Sequence, residues 1–488
     1  MLIYTVLKRG NMSDKYNEHE LEESIIQMFQ EKGYERIKSD SKWLTERKLN
    51  EYLIEDDIYR ALHKINPKIN RSLLDEVVKM IKYLHGLKLI ERNKLFHKYL
   101  IDGIIVQDNN SNVNPLVKII DFENINNNSF KIVSQVKFNE GRATRIPDII
   151  IYINGIPLII FELKSIENRE DSTIENAYEQ LGGNSENSGY RYDIPTIFNY
   201  NAFCVISDGI NNRLGTITST FERYSEWKSV DGENVYGIHS VNKLDVMIDG
   251  VFEKERLLDI IMNSIFYISK DKEHPIKILS QYHQYFGIKK AFKSILKNKK
   301  PEGTGRAGIV WHTQGSGKSF SMLMLAYRLI KEKSLNNPTI VILTDRNDLD
   351  DQLYTTFSCA SEYLRTTPVK VESRKDLIDT LSKIKESGII FTTIQKIDKD
   401  NIIPNKRENI IVISDEAHRS HYGLEETVKY SNKNNKFEIK TVFGYEKYIR
   451  DAMPNATFIG FTGTPVQTKD KDTTAIFGDI IDTYDMTQ

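Results

Sequence analysis

The sequence carries only two cysteines in 488 residues, Cys204 and Cys359. So few thiols in so long a chain exclude a disulfide framework and fit a reducing cytoplasm. Charge of one sign is also missing: 67 Lys and Arg stand against 68 Asp and Glu, a formal net charge of -1. Bulk charge therefore does not announce a nucleic-acid partner, which would need local basic patches instead. No apolar run approaches the length of a membrane span, so no membrane association of that kind is expected. The apolar opening Met1–Leu7 has no preceding charged region and is short for a signal peptide, and Met12 could equally begin the protein. There is no internal repeat. What remains is an ordinary globular composition, 40% hydrophobic and 28% charged, in a chain too long for one core. Two to four domains are expected.

Apolar positions Leu21, Ile25, Ile26 and Phe29 recur at helical spacing, with Gly33 as a stop. Further helices are expected near Glu55 to Ile65 and Ser72 to Leu87. From Leu100 to about Ser207 short β-rich runs take over: Val117–Phe122, Phe130–Val136, Ile149–Ile153, Leu158–Phe161 and Ala202–Ile206. This region reads as α+β, and residues 211–272 are mixed. The polar, Gly-rich stretch Lys297–Gly305 reads as a loop or linker. After it, the apolar runs Ala307–Trp311, Thr339–Leu343, Gly388–Thr392, Ile410–Ile413 and Thr457–Phe461 alternate with helical segments. Continuously apolar strands separated by helices indicate a parallel sheet covered on both faces. The Asn/Lys-rich segment Tyr430–Lys440 reads as an exposed insertion.

Two sets of residues carry chemistry. The second in chain order is the more specific. Trp311-His312-Thr313-Gln314-Gly315-Ser316-Gly317-Lys318-Ser319 follows an expected strand and precedes the helical run Phe320–Ile330. Glycines let backbone N–H groups close on phosphates, and the helix N-terminus adds a favourable dipole. Lys318 would reach the outer phosphates of ATP, and the Ser319 hydroxyl would sit on Mg²⁺; Thr313, Gly315, Ser316 and Gly317 complete the loop. The full pattern has glycine five residues before Gly317, where this chain has His312. Asp415-Glu416-Ala417-His418 ends another apolar strand, where open α/β sheets bind ligands. Asp415 would hold Mg²⁺ and Glu416 would polarise the attacking water. Thr462-Gly463-Thr464-Pro465 follows a third strand.

The first set is Asp148, then Glu162-Leu163-Lys164 across the hairpin signal Asn154-Gly155. Residues two apart on a strand share a face, so Glu162 and Lys164 point together. Two carboxylates can hold Mg²⁺, and a nearby ammonium can orient water and offset developing charge. Register decides whether they meet. A two-residue turn pairs Ile153 with Ile156 and leaves Asp148 and Glu162 on opposite faces. An odd connection, or a bulge, is therefore expected. Arg142 and Arg145 lie just upstream as candidate phosphate contacts.

Residues 280–488 resemble the first RecA-like domain of a superfamily 2 helicase. Tyr282-His283-Gln284-Tyr285 matches its glutamine motif, which implies that Gln284 contacts adenine. Thr344-Asp345-Arg346 and Thr392-Thr393-Ile394-Gln395-Lys396 match its DNA-contacting strand tips, which implies Arg346 and Lys396 as contacts. The stretch from Val117 to Gly209 resembles the PD-(D/E)xK nuclease domain of type I restriction enzyme motor subunits. Ile120-Asp121-Phe122, Asn127–Phe130, Arg145-Ile146-Pro147-Asp148, Phe161–Lys164, Ile194–Asn201 and Ser207-Asp208-Gly209 carry that likeness. The family has a Gln and a Tyr four residues apart after Glu-x-Lys. Gln180 fits, position 184 is Asn, and Tyr190 matches if Gly182–Ser188 is an insertion. A Glu of the helix around Glu22 would assist the metal.

The resemblance implies a restriction-endonuclease-like α/β core (1–255), connecting helices carrying the glutamine motif (256–305) and a RecA-like doubly wound sheet (306–488). The second RecA-like domain of such a motor is absent from this sequence, so the chain is expected to be an N-terminal fragment that binds ATP weakly if at all and does not translocate DNA alone. The implied function is ATP-dependent translocation and Mg²⁺-dependent cleavage of double-stranded DNA, beside a modification (methyltransferase) subunit and a specificity subunit. The alternative is an ATP-driven nucleic-acid remodeller whose N-terminal domain binds without cutting.

Overall fold

The structure is a computed structural model. It describes residues 18–109, 111–164, 173–183, 185, 187–236, 243–269, 275–344, 347–371, 373–383, 388–393, 405–415, 427–433, 436–442, 450–464 and 476–485. The chain divides into two compact units, Met1–Tyr282 and His283–Gln488. No described helix is long and apolar enough to cross a membrane.

The first unit is built on a seven-stranded mixed sheet whose strands lie side by side in chain order. They are β1 (Glu35–Arg36), β2 (Phe130–Ser134), β3 (Ile149–Ile153), β4 (Ile156–Leu163), β5 (Phe203–Ser207), β6 (Asn212–Gly215) and β7 (Ser225–Glu226). β2, β3 and β4 form an antiparallel meander. β5 returns parallel to β4 through a helical crossover that includes α2 (Ile174–Leu181) and the short turn α3 (Tyr190–Asp193). Every residue of β3 and β4 is buried, as strands covered on both faces require, and Glu162 is the one charged residue among them. Helix α1 (Glu18–Glu31) covers one face: its Phe29 meets Phe161 and Phe252 edge-on at 5.9 and 4.9 Å between ring centres. Ile150, Tyr152, Ile160 and Ile206 share the opposite core with Ala177, Tyr178 and Tyr190.

Several expected boundaries move for local reasons. Val117–Phe122 is not a strand beyond Val117, because the Asp121 carboxylate accepts from the backbone N–H groups of Glu123 and Asn124 at 3.0 and 2.8 Å and closes a turn. The helix at Leu89–Asp102 interleaves charges with its buried Phe96 and Leu100, and sequence periodicity did not mark it. The mixed region resolves into helices Lys243–Val251 and Lys254–Asn263 followed by the hairpin Ile265–Ile268 and Ile276–Leu279.

The β3–β4 connection is the feature that positions the site. Asn154 and Gly155 both have positive φ, 53° and 78°, the signature of a two-residue type I′ turn. Ile153 pairs with Ile156 and Tyr152 with Pro157, but Ile151 pairs with Ile159. Leu158 is thus an extra residue, a bulge that shifts all later pairs by one. Ile149 then faces Phe161, and the same register sets Asp148 opposite Glu162. The expected change of parity is present; the bulge supplies it, not an odd loop.

The second unit holds a seven-stranded sheet. Its strands are β8 (Arg306–His312), β9 (Thr339–Thr344), β10 (Val369–Lys370), β11 (Gly388–Thr393), β12 (Ile410–Ser414), β13 (Thr457–Thr462) and β14 (Ile480–Tyr484), in the order β10-β11-β9-β12-β13-β8-β14. All pairings are parallel, the arrangement of a RecA-like domain. The unit's first helix, α4, spans Tyr282–Asn298, and α5 spans Lys318–Lys331. The Asn/Lys-rich segment expected as an insertion forms an antiparallel hairpin, Thr427–Lys433 with Lys436–Val442.

The turn permits a direct check. A Cβ at Gly155 would stand 2.4 Å from the Ile54 carbonyl oxygen, in a backbone conformation that side chains seldom adopt. Gly155→Ala is expected to destabilise the first unit by about 1–3 kcal/mol. Calorimetric unfolding of the chain checks this, and an unchanged transition for the first unit would contradict the turn geometry.

Candidate active site

Asp148 enters β3 from Pro147 with its side chain almost wholly buried. Its Oδ2 accepts from the Leu163 backbone N–H at 2.7 Å, and its Oδ1 from the Gln135 amide at 3.1 Å. Glu162, directly across, is 0% exposed. Its Oε1 accepts from Lys164 Nζ at 3.1 Å, while its buried Oε2 has no hydrogen-bond partner. Lys164 also stands 3.8 Å from Glu18 on α1. The expectation that Glu162 and Lys164 share a face with Asp148 is met in this geometry.

Burial dominates the electrostatics. It pushes the Asp148 carboxyl up to about 6, against the pull of the Leu163 N–H. It pushes Glu162 well above the ordinary carboxylate range, with the Asp148 charge adding to the shift and Lys164 opposing it. Two carboxylates this close and this dry favour taking up a proton or a cation.

Gln180 on α2 and Tyr190 on α3 meet at this edge: the Gln180 amide donates to the Tyr190 hydroxyl at 2.7 Å, and that hydroxyl donates to the Ile146 carbonyl at 3.1 Å. Burial and the neighbouring Glu162 charge raise the Tyr190 pKa. The ten-residue spacing between Gln180 and Tyr190 therefore still yields a side-chain pair. Arg145 pairs with Asp193 at 2.7 Å, and Arg142 is exposed on the adjoining turn. One residue beside the carboxylates gave no sequence signal. Gln135, at φ 54°, uses a single amide nitrogen to reach both Asp148 and, at 2.7 Å, the buried carboxylate of Glu22. It thereby picks out Glu22 among the acids of α1.

In the second unit three adjacent strands end together. β12 leads into Asp415, β13 into Thr462-Gly463-Thr464, and β8 into the glycine-rich loop. Gly315 and Gly317 have φ of 89° and 81°, and α5 begins at Lys318. A Cβ at Gly463 would lie 2.8 Å from Lys318 Nζ, so the Thr462 turn sits against the loop lysine. The Gln284 amide donates to the carbonyls of Ser316 and Gly317 at 3.1 and 3.4 Å, which sets it against the loop backbone. Ser319 opens α5 half-buried, and Asp415 is buried. Glu416, Arg346 and Lys396 lie outside the described residues, as do His418 and Pro465.

The family described as type I restriction enzyme R protein N terminus matches residues 15–223, and SWI2/SNF2 ATPase matches residues 283–488. The type I restriction enzyme HindI endonuclease subunit of Haemophilus influenzae is 38% identical over 484 residues, covering 96% of this chain and 44% of that protein. The putative type I restriction enzyme MjaIXP endonuclease subunit of Methanocaldococcus jannaschii is 34% identical, covering 88% of this chain and 40% of that protein.

The chain belongs to the endonuclease-subunit family of type I restriction enzymes.

It spans less than half the length of these curated relatives. The family implies a divalent metal and ATP, and the residues present fit both. At the first site the partnerless, buried Glu162 Oε2 and the raised Asp148 carboxyl are oxygen donors that a proton or a divalent cation would satisfy. At the second, the buried Ser316 Oγ and Thr313 Oγ1 lack partners around two left-handed glycines, at the N-terminus of a 14-residue helix. That is an anion cradle.

The sign of the carboxylate shifts sets a pH dependence. Asp148 and Glu162 hold protons in the fold that they release when unfolded. Their contribution to stability is full below the ordinary carboxylate value of about 4 and falls as pH rises towards 6 and beyond. In chelator, the metal-free restriction subunit should lose stability across that window. Glu162→Gln should raise its thermal midpoint at pH 7.5 by roughly 2–4 °C per kcal/mol relieved. A lowered midpoint at that pH would contradict the buried-charge account.

Proposed function

We propose that the first unit hydrolyses phosphodiester bonds of double-stranded DNA and that the second binds ATP to drive DNA past it. The chain would then act as the cutting and translocating subunit of a cytoplasmic type I restriction enzyme. The observation that carries this is the face shared by Asp148, Glu162 and Lys164, with Lys164 Nζ 3.1 Å from a fully buried carboxylate. The relatives named above are endonuclease subunits, which agrees with it.

Asp148 and Glu162 would hold Mg²⁺. When bound, the ion would stabilise charge on the scissile phosphate and lower the pKa of a water ligand. Lys164 would place and polarise the attacking water and offset the negative charge that gathers on the phosphate oxygens. Gln180 fixes the rotation of the Tyr190 hydroxyl, so that the pair forms one wall of the site. Gln135 and Glu22 would hold Asp148 in its rotamer. Arg142 and Arg145 would contact phosphates, which position a duplex without reading its sequence. Sequence reading and methylation would then belong to specificity and modification subunits.

At the second site Gln284, Thr313, Gly315, Ser316, Gly317 and Lys318 would cradle ATP. Ser319 and Asp415 would hold its Mg²⁺, Glu416 would polarise water, and Arg346 and Lys396 would touch DNA. The convergence of three adjacent parallel strand ends at one edge supports this.

Lys164→Ala is expected to reduce Mg²⁺-dependent cleavage by the assembled, ATP-supplied enzyme by roughly 10²- to 10³-fold, while ATP turnover stays at its wild-type rate. Lys318→Ala is expected to abolish nucleotide binding and leave metal binding at Asp148 and Glu162 intact. Gel-based nicking and ATPase assays read both. Wild-type cleavage by the Lys164 variant would remove the nuclease reading.

A further inference from the structure

His312 occupies a position where the phosphate-loop pattern has glycine, and the structure shows what the side chain does there. The residue does not adopt positive φ, so the backbone tolerates a side chain. Its ring is buried to 1% exposure. His312 Nε2 lies 2.7 Å from Asp482 Oδ2 on β14, and Lys290 Nζ on α4 lies 2.9 Å from Asp482 Oδ1. An ionised carboxylate only accepts, so Nε2 carries the proton and donates. Gly287 on α4 makes room: a Cβ there would come 2.6 Å from Asp482 Oδ2 and 3.0 Å from His312 Nε2.

The same two elements brace the loop beyond His312. The Thr313 N–H donates to the Tyr484 carbonyl at 3.0 Å. The His283 ring stacks on Tyr484 at 3.7 Å with 5° between planes, and its Nε2 contacts the Ser316 carbonyl at 3.1 Å. The loop lysine closes the circuit, with Lys318 Nζ donating to the His312 carbonyl at 3.4 Å. One residue therefore has its side chain held by β14 and its carbonyl in contact with Lys318.

We propose that His312 is a positioning residue for nucleotide, pinned by Asp482 and Lys290 so that the phosphate loop is held in its receptive shape before ATP arrives. The proposal rests on the ATP-site reading above and deepens it. A glycine at this position would leave the loop entrance to be ordered at the expense of binding energy. Here β14 orders it in advance, which makes Asp482 and Tyr484 part of the nucleotide site although neither belongs to its recognised motifs. It also makes β14 a route by which movement at that strand reaches the phosphates.

The test is MgADP titration calorimetry on the assembled enzyme and its variants, with amide hydrogen exchange over residues 313–318 and the thermal midpoint measured separately. His312→Ala and Asp482→Asn are each expected to weaken MgADP about tenfold, the loss of one charged hydrogen bond. The double variant should be no weaker than either single one, because both break one unit. His312→Gln, which keeps a donor, should recover most of the affinity even if His312→Ala folds poorly. Exchange at 313–318 should quicken in the two single variants without nucleotide. Unchanged affinity and exchange, or additive losses, would overturn the clamp. Failure of the wild-type assembled enzyme to bind MgADP would overturn the ATP reading and the clamp with it, a result distinct from equal binding by all variants.

Discussion

Two carboxylates facing one another inside a sheet, with too few donors to satisfy them, are the interaction around which the first unit is organised. Burial of an ionised carboxylate is costly unless it is paired, and Glu162 is fully buried with one oxygen unpartnered. Lys164, the Leu163 N–H and the Gln135 amide offset part of that cost. The remainder is a standing demand for a proton or a cation, and the raised Asp148 and Glu162 carboxyls express it. A surface hairpin end with the same residues would carry no such demand. The depth of β3 and β4, not the identity of the acids alone, raises Asp148 and Glu162 above the ordinary carboxylate range.

Much of the surrounding architecture serves that juxtaposition. The type I′ turn reverses the chain within two residues, and the Leu158 bulge corrects the parity that the turn would otherwise impose. α1 brings Glu22 to the Gln135 amide and Glu18 towards Lys164. The crossover after β4 brings α2 and α3 over the same edge, so that Gln180 and Tyr190 complete a wall. The second unit solves a different problem with a different device. A parallel sheet aligns its strand ends, and the neighbour order β12-β13-β8 gathers Asp415, the Thr462 turn and the glycine-rich loop, with side chains of α4 and β14 bracing that loop.

Motif residues, strand cores and the alternation that separates a mixed sheet from a parallel one were legible in the sequence. Glu55–Ile65 is apparent from its helical periodicity and the five strands of the second unit from their continuous apolar runs, because burial enforces both patterns. Elements that depend on side-chain-to-backbone bonds were not. Asp121 ends the run that began at Val117 by capping a turn, and apolar content alone does not register that. Gln135 is invisible for a related reason: its importance lies in a left-handed backbone that aims one amide at two distant carboxylates. His312 was visible only as a departure from a pattern, since its partner Asp482 lies 170 residues away.

The amino-acid order by itself determined which groups are available: two acids and a lysine at strand ends, two glycines and a lysine before a helix, and an Asn-Gly turn. It also determined that one residue too few, or one too many, must separate Asp148 from Glu162, because side chains alternate along a strand. Only the tertiary structure decided where that residue goes. Positive φ at both Asn154 and Gly155, with Gly155 pressed against Ile54, fixes the turn at two residues, so Leu158 must bulge. Loop and bulge change parity equally, and only packing against the rest of the fold distinguishes them.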